Sequence, residues 1–378
     1  MAVGISLTIA AILALMISNS TSYQIYQDFF AINLPLSLDF IGISKEMTLL
    51  DWINDFLMAI FFLLVGLELK KEILLGELST NTKRYLPFIA ACGGVIMPIL
   101  IFCFFNKGNA ENMRGFAIPC ATDIAFAYGA IALFGKKISN SLKVFVVALA
   151  VIDDLIAILI IAFFYSDNID LTYILLSCFA LLLLAILNFF SVKKILPYLL
   201  CGIFLWLMVL KTGIHASLAG VLLSMFIPMK VSNEPLLPKL AHQIAPAVNF
   251  LILPIFAFAN AGVRIENFSY DIFLQPVVLG IVAGLFFGKQ IGVMLFSFIA
   301  IKLKISAMPS GANWLELYIA AIFTAIGFTM SLFIAGLSFD TNQQLFDEAK
   351  IGILFGSLLS VIFASLIIFI IKPTNNKK

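Results

Sequence analysis

The stretch VIDDL (Val151–Leu155) places two adjacent aspartates in the middle of an apolar segment that runs from Ser141 to Tyr165. A helix of this length reaches roughly 37 Å, which is enough to cross a bilayer. Asp153 lies about 18 Å from the start of the segment, near its midplane. An ionised side chain at that depth costs about 2.5–3.5 kcal/mol on insertion scales. The pair therefore predicts an ion or proton site inside a membrane.

The rest of the chain is equally apolar, with 62% hydrophobic and 12% charged residues among 378. Soluble domains carry about a quarter charged residues. The composition predicts an all-α polytopic membrane protein, with residues 1–378 forming a single transmembrane domain. The sequence has no basic cluster with interleaved aromatic residues, so it does not suggest a nucleic-acid partner. The twelve predicted spans cover residues 3–27, 49–70, 85–105, 114–134, 141–165, 171–191, 195–211, 212–229, 246–263, 276–300, 313–339 and 350–371.

The basic residues predict the orientation of these spans. Sixteen of the 23 lysines and arginines fall in loops and ends on one side and six on the other. Since the basic side faces the cytoplasm, both termini are expected there. Residues 36–44 alternate in polarity around Gly42 and predict a small β-hairpin on the outer side.

Two further charges lie too deep for lipid. Lys289 is about 20 Å into span 276–300, so we interpret it as the ion-pair partner of a buried aspartate rather than a snorkelling interfacial lysine. Asp123 follows Pro119, which removes a helical hydrogen bond. Span 114–134 is therefore expected to break where its acid lies, in a region that lines a cavity or is buried in protein.

A second interruption is predicted around Gly327 in span 313–339, where a close helix contact is the alternative. Each interrupted span is the middle one of three. The placement predicts an inverted repeat with units at about residues 85–165 and 276–371.

The chain resembles the NhaA family of bacterial sodium/proton antiporters along nearly its whole length. Six segments carry the resemblance: Phe62–Glu68 (FLLVGLE), Ala121–Phe126 (ATDIAF), Val151–Leu155 (VIDDL), Gly213–Gly220 (GIHASLAG), Leu253–Gly262 (LPIFAFANAG) and Gly327–Ser331 (GFTMS).

The resemblance implies twelve transmembrane helices, two of them broken and crossing at the midplane. It implies that Asp153 and Asp154, with Asp123 and Thr122 beside them, bind Na⁺ or Li⁺ and protons. Asp123 would offset the positive ends of the half-helices, and Lys289 would offset their negative ends and pair with Asp153. No cofactor is implied. The resemblance also implies a homodimer in the bacterial inner membrane, among membrane lipids.

Two other functions remain open at this point. Crossed broken helices also occur in sodium-coupled symporters of organic solutes, although adjacent acids argue against a large solute cavity. An intramembrane aspartyl protease needs two facing acids, whereas adjacent residues on a helix point about 100° apart. Export of sodium by antiport, which is not an enzymatic reaction, is the function that we expect.

Regulation by pH is expected to differ from that of related proteins. Glu68, Lys71 and Glu72 form either an interfacial cap or part of a pH sensor. In related proteins the start of the ninth helix adds acidic and histidine residues, but here those positions are Ala241 and Ala245. Of the two histidines, His215 is interpreted as a hydrogen-bonded structural residue, and His242 receives no role.

We expect activity to change gradually with pH, because a steep response needs several coupled titrating groups. Apparent Na⁺ affinity should weaken as pH falls, since protons compete for the aspartates. Na⁺-induced proton movement in everted vesicles between about pH 6 and 9 measures both. A profile that switches on within one pH unit at saturating Na⁺ would instead show that a sensor survives around Glu68, Lys71 and Glu72.

Overall fold

The computed structural model describes residues 2–38, 43–76, 81–133, 140–166, 170–231, 234–264, 270–309 and 312–370. These residues are mostly helical, with one small sheet. The α-helices are α1 Ala2–Ser18, α2 Tyr23–Phe30, α3 Leu49–Asp51, α4 Met58–Leu74, α5 Asn81–Asn106, α6 Ala110–Met113, α7 Ile124–Leu133, α8 Asn140–Phe164, α9 Leu171–Phe189, α10 Ile195–Thr212, α11 Leu218–Phe226, α12 Leu236–Ala247, α13 Leu253–Asn260, α14 Pro276–Ala283, α15 Lys289–Lys302, α16 Trp314–Thr324, α17 Phe328–Ser338 and α18 Gln343–Ile370.

Shorter segments of other geometry join some of these helices. Three π-helical turns join consecutive α-helices into longer rods, at Trp52–Leu57, Val248–Ile252 and Gly284–Gly288. Two 3₁₀ segments occupy Arg114–Cys120 and Tyr270–Leu274.

The chain is a multi-pass membrane protein. The described residues contain eight helices long and apolar enough to cross a bilayer, or up to ten if two bent pairs each count as one span. Besides the two bent pairs, two predicted spans each contain only one short α-helix. The spans 114–134 and 212–229 contain α7 and α11, which have only 10 and 9 residues.

Three predicted boundaries were wrong, one of them the start of the last span, which lies at Gln343 rather than at 350. The first span does not run to residue 27, because α1 ends at Ser18 and the bend to α2 is 117°. Its polar turn forms local hydrogen bonds, with the Ser20 hydroxyl donating to the Ile17 carbonyl at 2.8 Å. The ninth span begins ten residues before Pro246, at Leu236. The helix passes through this proline, and the π-helical turn Val248–Ile252 follows.

The chain divides into two compact units. Unit 1 comprises Met1–Ser6, Glu72–Ile160 and Asn267–Lys378, and unit 2 comprises Leu7–Lys71 and Ile161–Glu266. Both predicted repeat units fall almost wholly within unit 1.

Unit 2 contains the small sheet. Strands β1 (Leu36–Leu38) and β2 (Ile43–Lys45) pair antiparallel, with Ser37 opposite Ser44. The residues 39–42 between them, which belong to the predicted hairpin, lie outside the described residues.

Contact between backbones holds α15 against α5 in unit 1. A methyl group at Gly292 would overlap the carbonyl oxygen of Gly93, and one at Gly93 would overlap that of Gly292. Small residues permit this approach in membranes, where van der Waals packing replaces the hydrophobic effect between helices. The contact fixes the height and rotation of the helix that begins with Lys289.

Gly292→Ala should lower the melting temperature in detergent, because overpacking of this kind costs about 1–3 kcal/mol. Gly336→Ala is the matched control, since a methyl group there would lie 3.9 Å from its nearest neighbour, Phe346. The control should be neutral or slightly stabilising. Equal melting temperatures for the two variants would show that the α5–α15 contact yields without cost.

Candidate functional site

The segment 114–133 is interrupted at the acid, as its proline predicts. The 3₁₀ segment ends at Cys120, Ala121 is extended, and α7 begins at Ile124. The Asp123 N–H donates to the Ile326 carbonyl at 2.7 Å. Ile326 lies in the second interruption, between α16 and α17, where the chain bends by 43°. The two breaks therefore lie against each other within unit 1.

Asp123 caps both helices that start at these breaks. Its Oδ1 accepts from the Phe126 N–H at 2.8 Å, in the first turn of α7. Its Oδ2 accepts from the Thr329 N–H at 3.0 Å, in the first turn of α17, and from the Thr329 hydroxyl. Helix N-termini carry partial positive charge and unpaired N–H groups. A single carboxylate with 2% exposure thus satisfies two helix ends.

Lys289 and Asp153 form a fully buried ion pair. The Nζ of Lys289 lies 2.7 Å from Asp153 Oδ2, and both side chains have 0% exposure. The same ammonium donates to the Thr122 hydroxyl at 3.0 Å. Breaking such a pair leaves a charge in a medium that cannot solvate it.

The hydroxyl of Thr122 lies between two acceptors. It is 2.8 Å from Asp153 Oδ2 and 2.8 Å from the carbonyl of Thr324, the last residue of α16. A hydroxyl has one hydrogen, so it donates to one of these oxygens at a time. Because Lys289 donates to the same hydroxyl, its positive charge lies close to the negative end of α16.

The adjacent aspartates Asp153 and Asp154 complete a buried cluster that also contains Thr122, Asp123 and Lys289. Asp154 is 1% exposed on α8. The Oδ1 of Asp153 is buried and accepts no hydrogen bond from the residues that the structure describes. The described chain contains no group of three or more histidine, cysteine or acidic side chains arranged to hold a metal ion. A hard cation here would take some oxygen ligands from hydroxyls, carbonyls or water.

Comparison with known proteins identifies the family of this chain. The family model for Na⁺/H⁺ antiporter 1 matches residues 1–368. A Na⁺/H⁺ antiporter NhaA of Pelagibacter ubique is 50% identical over 367 residues, covering 97% of this chain and 94% of the relative. The NhaA proteins of Shewanella frigidimarina and Nitrobacter hamburgensis are 45% and 48% identical, covering 99% and 98% of this chain and 95% and 89% of the relatives.

This chain belongs to the Na⁺/H⁺ antiporter 1 family.

The three residues predicted to take part in pH regulation of this Na⁺/H⁺ antiporter family member are not among the residues of the cluster. Glu68, Lys71 and Glu72 occupy the last turns of α4, with Glu68 and Lys71 exposed. Their spacing of three and four residues places them on one face of that helix.

His215 makes two polar contacts in unit 2. Its Nε2 is 3.3 Å from Asp55 Oδ1, and its Nδ1 is 2.8 Å from the Ser217 hydroxyl. Asp55 in turn lies 3.5 Å from Lys45 on β2. These contacts fit the interpretation of His215 as a structural residue.

The sequence analysis missed three groups that position the cluster. Thr329 lies in the predicted interruption around Gly327 but was assigned no role, and the Thr324 carbonyl has no side-chain signal. Gly94 was also missed, although a Cβ there would lie 3.1 Å from Val293 and 3.9 Å from the Lys289 Nζ. The Gly93-Gly94 pair in an apolar span was the available sign of close packing against another helix.

Lys289→Ala should destabilise the protein by about 3–5 kcal/mol, because removing one partner leaves a buried aspartate without its ammonium. Adding Asp153→Asn should recover part of the loss. The measurement is thermal unfolding in detergent, with Lys302→Ala as control because Lys302 is an exposed lysine of the same helix. Unchanged melting of Lys289→Ala would contradict an energetically important ion pair.

Proposed function

We propose that this chain exports Na⁺ or Li⁺ in exchange for protons, with Asp153 and Asp154 binding both kinds of ion in turn. The observation that carries the proposal is the charge balance of the buried cluster. Asp123, Asp153 and Asp154 supply three carboxyl groups, whereas Lys289 supplies one ammonium.

Ionisation of all three carboxyl groups would leave an excess of two negative charges in a region with little exposure to water. Such an excess is costly in a membrane, so it must be offset by protons, cations or dipoles. The helix N-termini at Asp123 offset part of it. Protons or a hard cation on Asp153 and Asp154 offset the remainder, and oxygen ligands suit Na⁺ and Li⁺.

Competition for the same carboxylates couples the two ions. At lower pH the aspartates hold protons, and Na⁺ from the cytoplasm displaces them. Rocking of one helix bundle then exposes the loaded site to the outside, where protons replace Na⁺. No covalent chemistry is involved.

Lys289 and Thr122 respond to what Asp153 binds. A cation on Asp153 weakens the attraction between that carboxylate and Lys289. The Thr122 hydroxyl can then turn its hydrogen towards the Thr324 carbonyl, which lies at an equal distance. If Lys289 also releases its proton, the exchange moves more than one proton per Na⁺ and is electrogenic.

The finer architecture belongs to the same proposal. We propose twelve spans crossing the inner membrane, with both termini in the cytoplasm and residues 1–378 acting as one transporter. Within unit 1, each of the two interrupted segments has a long helix before and after it in the chain, which supports an inverted repeat. Glu68, Lys71 and Glu72 are proposed to adjust activity to pH.

A homodimer is also part of the proposal. The described strands β1 and β2 form a two-stranded sheet. A sheet of this size has two outer edges, and strand edges pair readily with a second copy. Cysteine cross-linking at Ser37, an exposed residue of β1, tests this contact.

Asp154→Asn should abolish Na⁺-dependent proton movement, because an amide cannot bind and release a proton between about pH 6 and 9. The protein should still insert and fold. Asp340→Asn is the matched control, since its side chain is 55% exposed near Arg114. It should retain the parental rate in proteoliposomes.

Wild-type exchange by Asp154→Asn would remove Asp154 from the site. A parent protein that takes up Na⁺ without any opposing proton movement would overturn antiport itself and favour the symporter alternative.

A further inference from the structure

Helix α5 contains a proline one turn after the glycine that lies beside Lys289. Pro98 has no N–H group, so the carbonyl of Gly94, four residues earlier, loses its regular helical donor. The proline ring also crowds that carbonyl. Both residues are buried. In a membrane, backbone groups freed in this way are satisfied by groups of neighbouring helices, so the sequence creates a backbone acceptor for a donor from outside α5.

The facing helix is also irregular at this height. In the π-helical turn Gly284–Gly288, the Lys289 N–H donates to the Gly284 carbonyl, five residues earlier. Single π-helical turns are frequent at functional sites. Pro98 packs against this turn, because a methyl group at Gly288 would lie 2.8 Å from the Pro98 Cα and one at Gly284 would lie 3.3 Å from the Pro98 carbonyl oxygen. Two irregular helix segments therefore meet immediately before Lys289.

The Gly94 carbonyl lies on the face of α5 that meets the start of α15. Carbonyl groups of a helix point towards its C-terminus, so this oxygen lies between Gly94 and Pro98. At one end of that interval, a methyl group on Gly94 would lie 3.7 Å from the Lys289 Cδ and 3.9 Å from its Nζ. At the other end, Pro98 contacts Gly288. The geometry thus places the oxygen opposite Lys289.

The Lys289 ammonium is a suitable donor for this oxygen. It has three N–H groups, and its contacts with Asp153 Oδ2 at 2.7 Å and the Thr122 hydroxyl at 3.0 Å use two of them. Its four-carbon stem is flexible. An ammonium that loses its carboxylate at this depth needs another acceptor, because an unpaired buried charge is costly.

We propose that the Gly94 carbonyl is the second acceptor of Lys289, to which the ammonium turns when a cation occupies Asp153. This inference rests on the proposed binding of Na⁺ at Asp153. The carbonyl lowers the cost of freeing Asp153 from its ion pair, so it strengthens Na⁺ binding without touching the ion. Gly94 and Pro98 are therefore positioning residues, and their effect is on Na⁺ affinity.

Pro98→Ala tests the inference in the full chain in proteoliposomes, because it restores the N–H group that bonds the Gly94 carbonyl within α5. The apparent KM for Na⁺ should rise roughly tenfold, as loss of one hydrogen bond from a charged donor predicts. The kcat should stay near that of the parent, since only binding is weakened. In detergent, the Na⁺ concentration needed for thermal stabilisation should rise by a similar factor.

Two controls separate the N–H group from the loss of the proline ring. The α-hydroxy analogue of alanine at position 98 has the same side chain as Pro98→Ala but an ester oxygen in place of the N–H group. It leaves the Gly94 carbonyl available and should keep a KM near that of the parent. Pro87→Ala changes another buried proline of α5, roughly 16 Å away along the helix, and should also keep the parental KM.

A second variant blocks the path of the ammonium instead of occupying the carbonyl. Gly94→Ala places a methyl group beside the Lys289 stem, but that group would lie 3.1 Å from the Val293 Cγ2. Val293→Ala removes this crowding. The double variant should therefore raise the KM for Na⁺ as Pro98→Ala does, whereas Val293→Ala alone should not.

A parental KM in Pro98→Ala would overturn the inference. Equal KM values for Pro98→Ala and its ester analogue would also overturn it, because the effect would then come from the lost ring. If Pro98→Ala does not fold, the double variant at Gly94 and Val293 decides by the same criterion. A parent protein without Na⁺-dependent proton movement would instead overturn the proposed function, so the two failures are distinguishable.

Discussion

The buried ion pair between Lys289 and Asp153 is the interaction on which the rest of unit 1 depends. Two opposite charges 2.7 Å apart and without exposure to water are stable only as a pair. Holding them together requires α15 close to α8, and the glycines that bring α15 onto α5 supply part of that constraint. The Oδ1 of Asp153, which accepts no hydrogen bond from the described residues, and the neighbouring Asp154 lie in the same buried region. In the proposed function, this ammonium lies beside the two carboxyl groups that would bind Na⁺ and protons in turn.

Asp123 plays a separate electrostatic role at the same depth. Two interrupted segments would otherwise leave the N–H groups of α7 and α17 without partners, where water cannot replace them. One carboxylate accepts from both helices. The breaks are therefore stabilised by a shared group, and a change in its charge would affect both helices together.

Charge at an improbable depth was the strongest signal in the sequence. The depth of Lys289 was enough to predict that it meets a buried aspartate, because lipid offers no partner for an ammonium. Pro119, which cannot donate a helical hydrogen bond, predicted the interruption next to Asp123. Features that lack a charge were harder to predict. Thr324 acts through its carbonyl, and the contact of Gly93 with Gly292 depends on which helices meet. Helix ends were least predictable. The first helix, α1, stops at Ser18 because the polar residues after it find local partners, and the helix that contains Pro246 begins ten residues before the predicted start of its span.

The glycine contact under α15 also has a consequence for motion. A helix whose backbone contacts that of its neighbour cannot slide along the neighbour or rotate about its own axis unless the two backbones move apart. Lys289 stands at the beginning of this anchored helix, so its ammonium can travel only as far as its own flexible stem allows. Lys289 is then held in place relative to α5, so a rearrangement that separates it from Asp153 has to move α8 relative to the packed pair of α5 and α15.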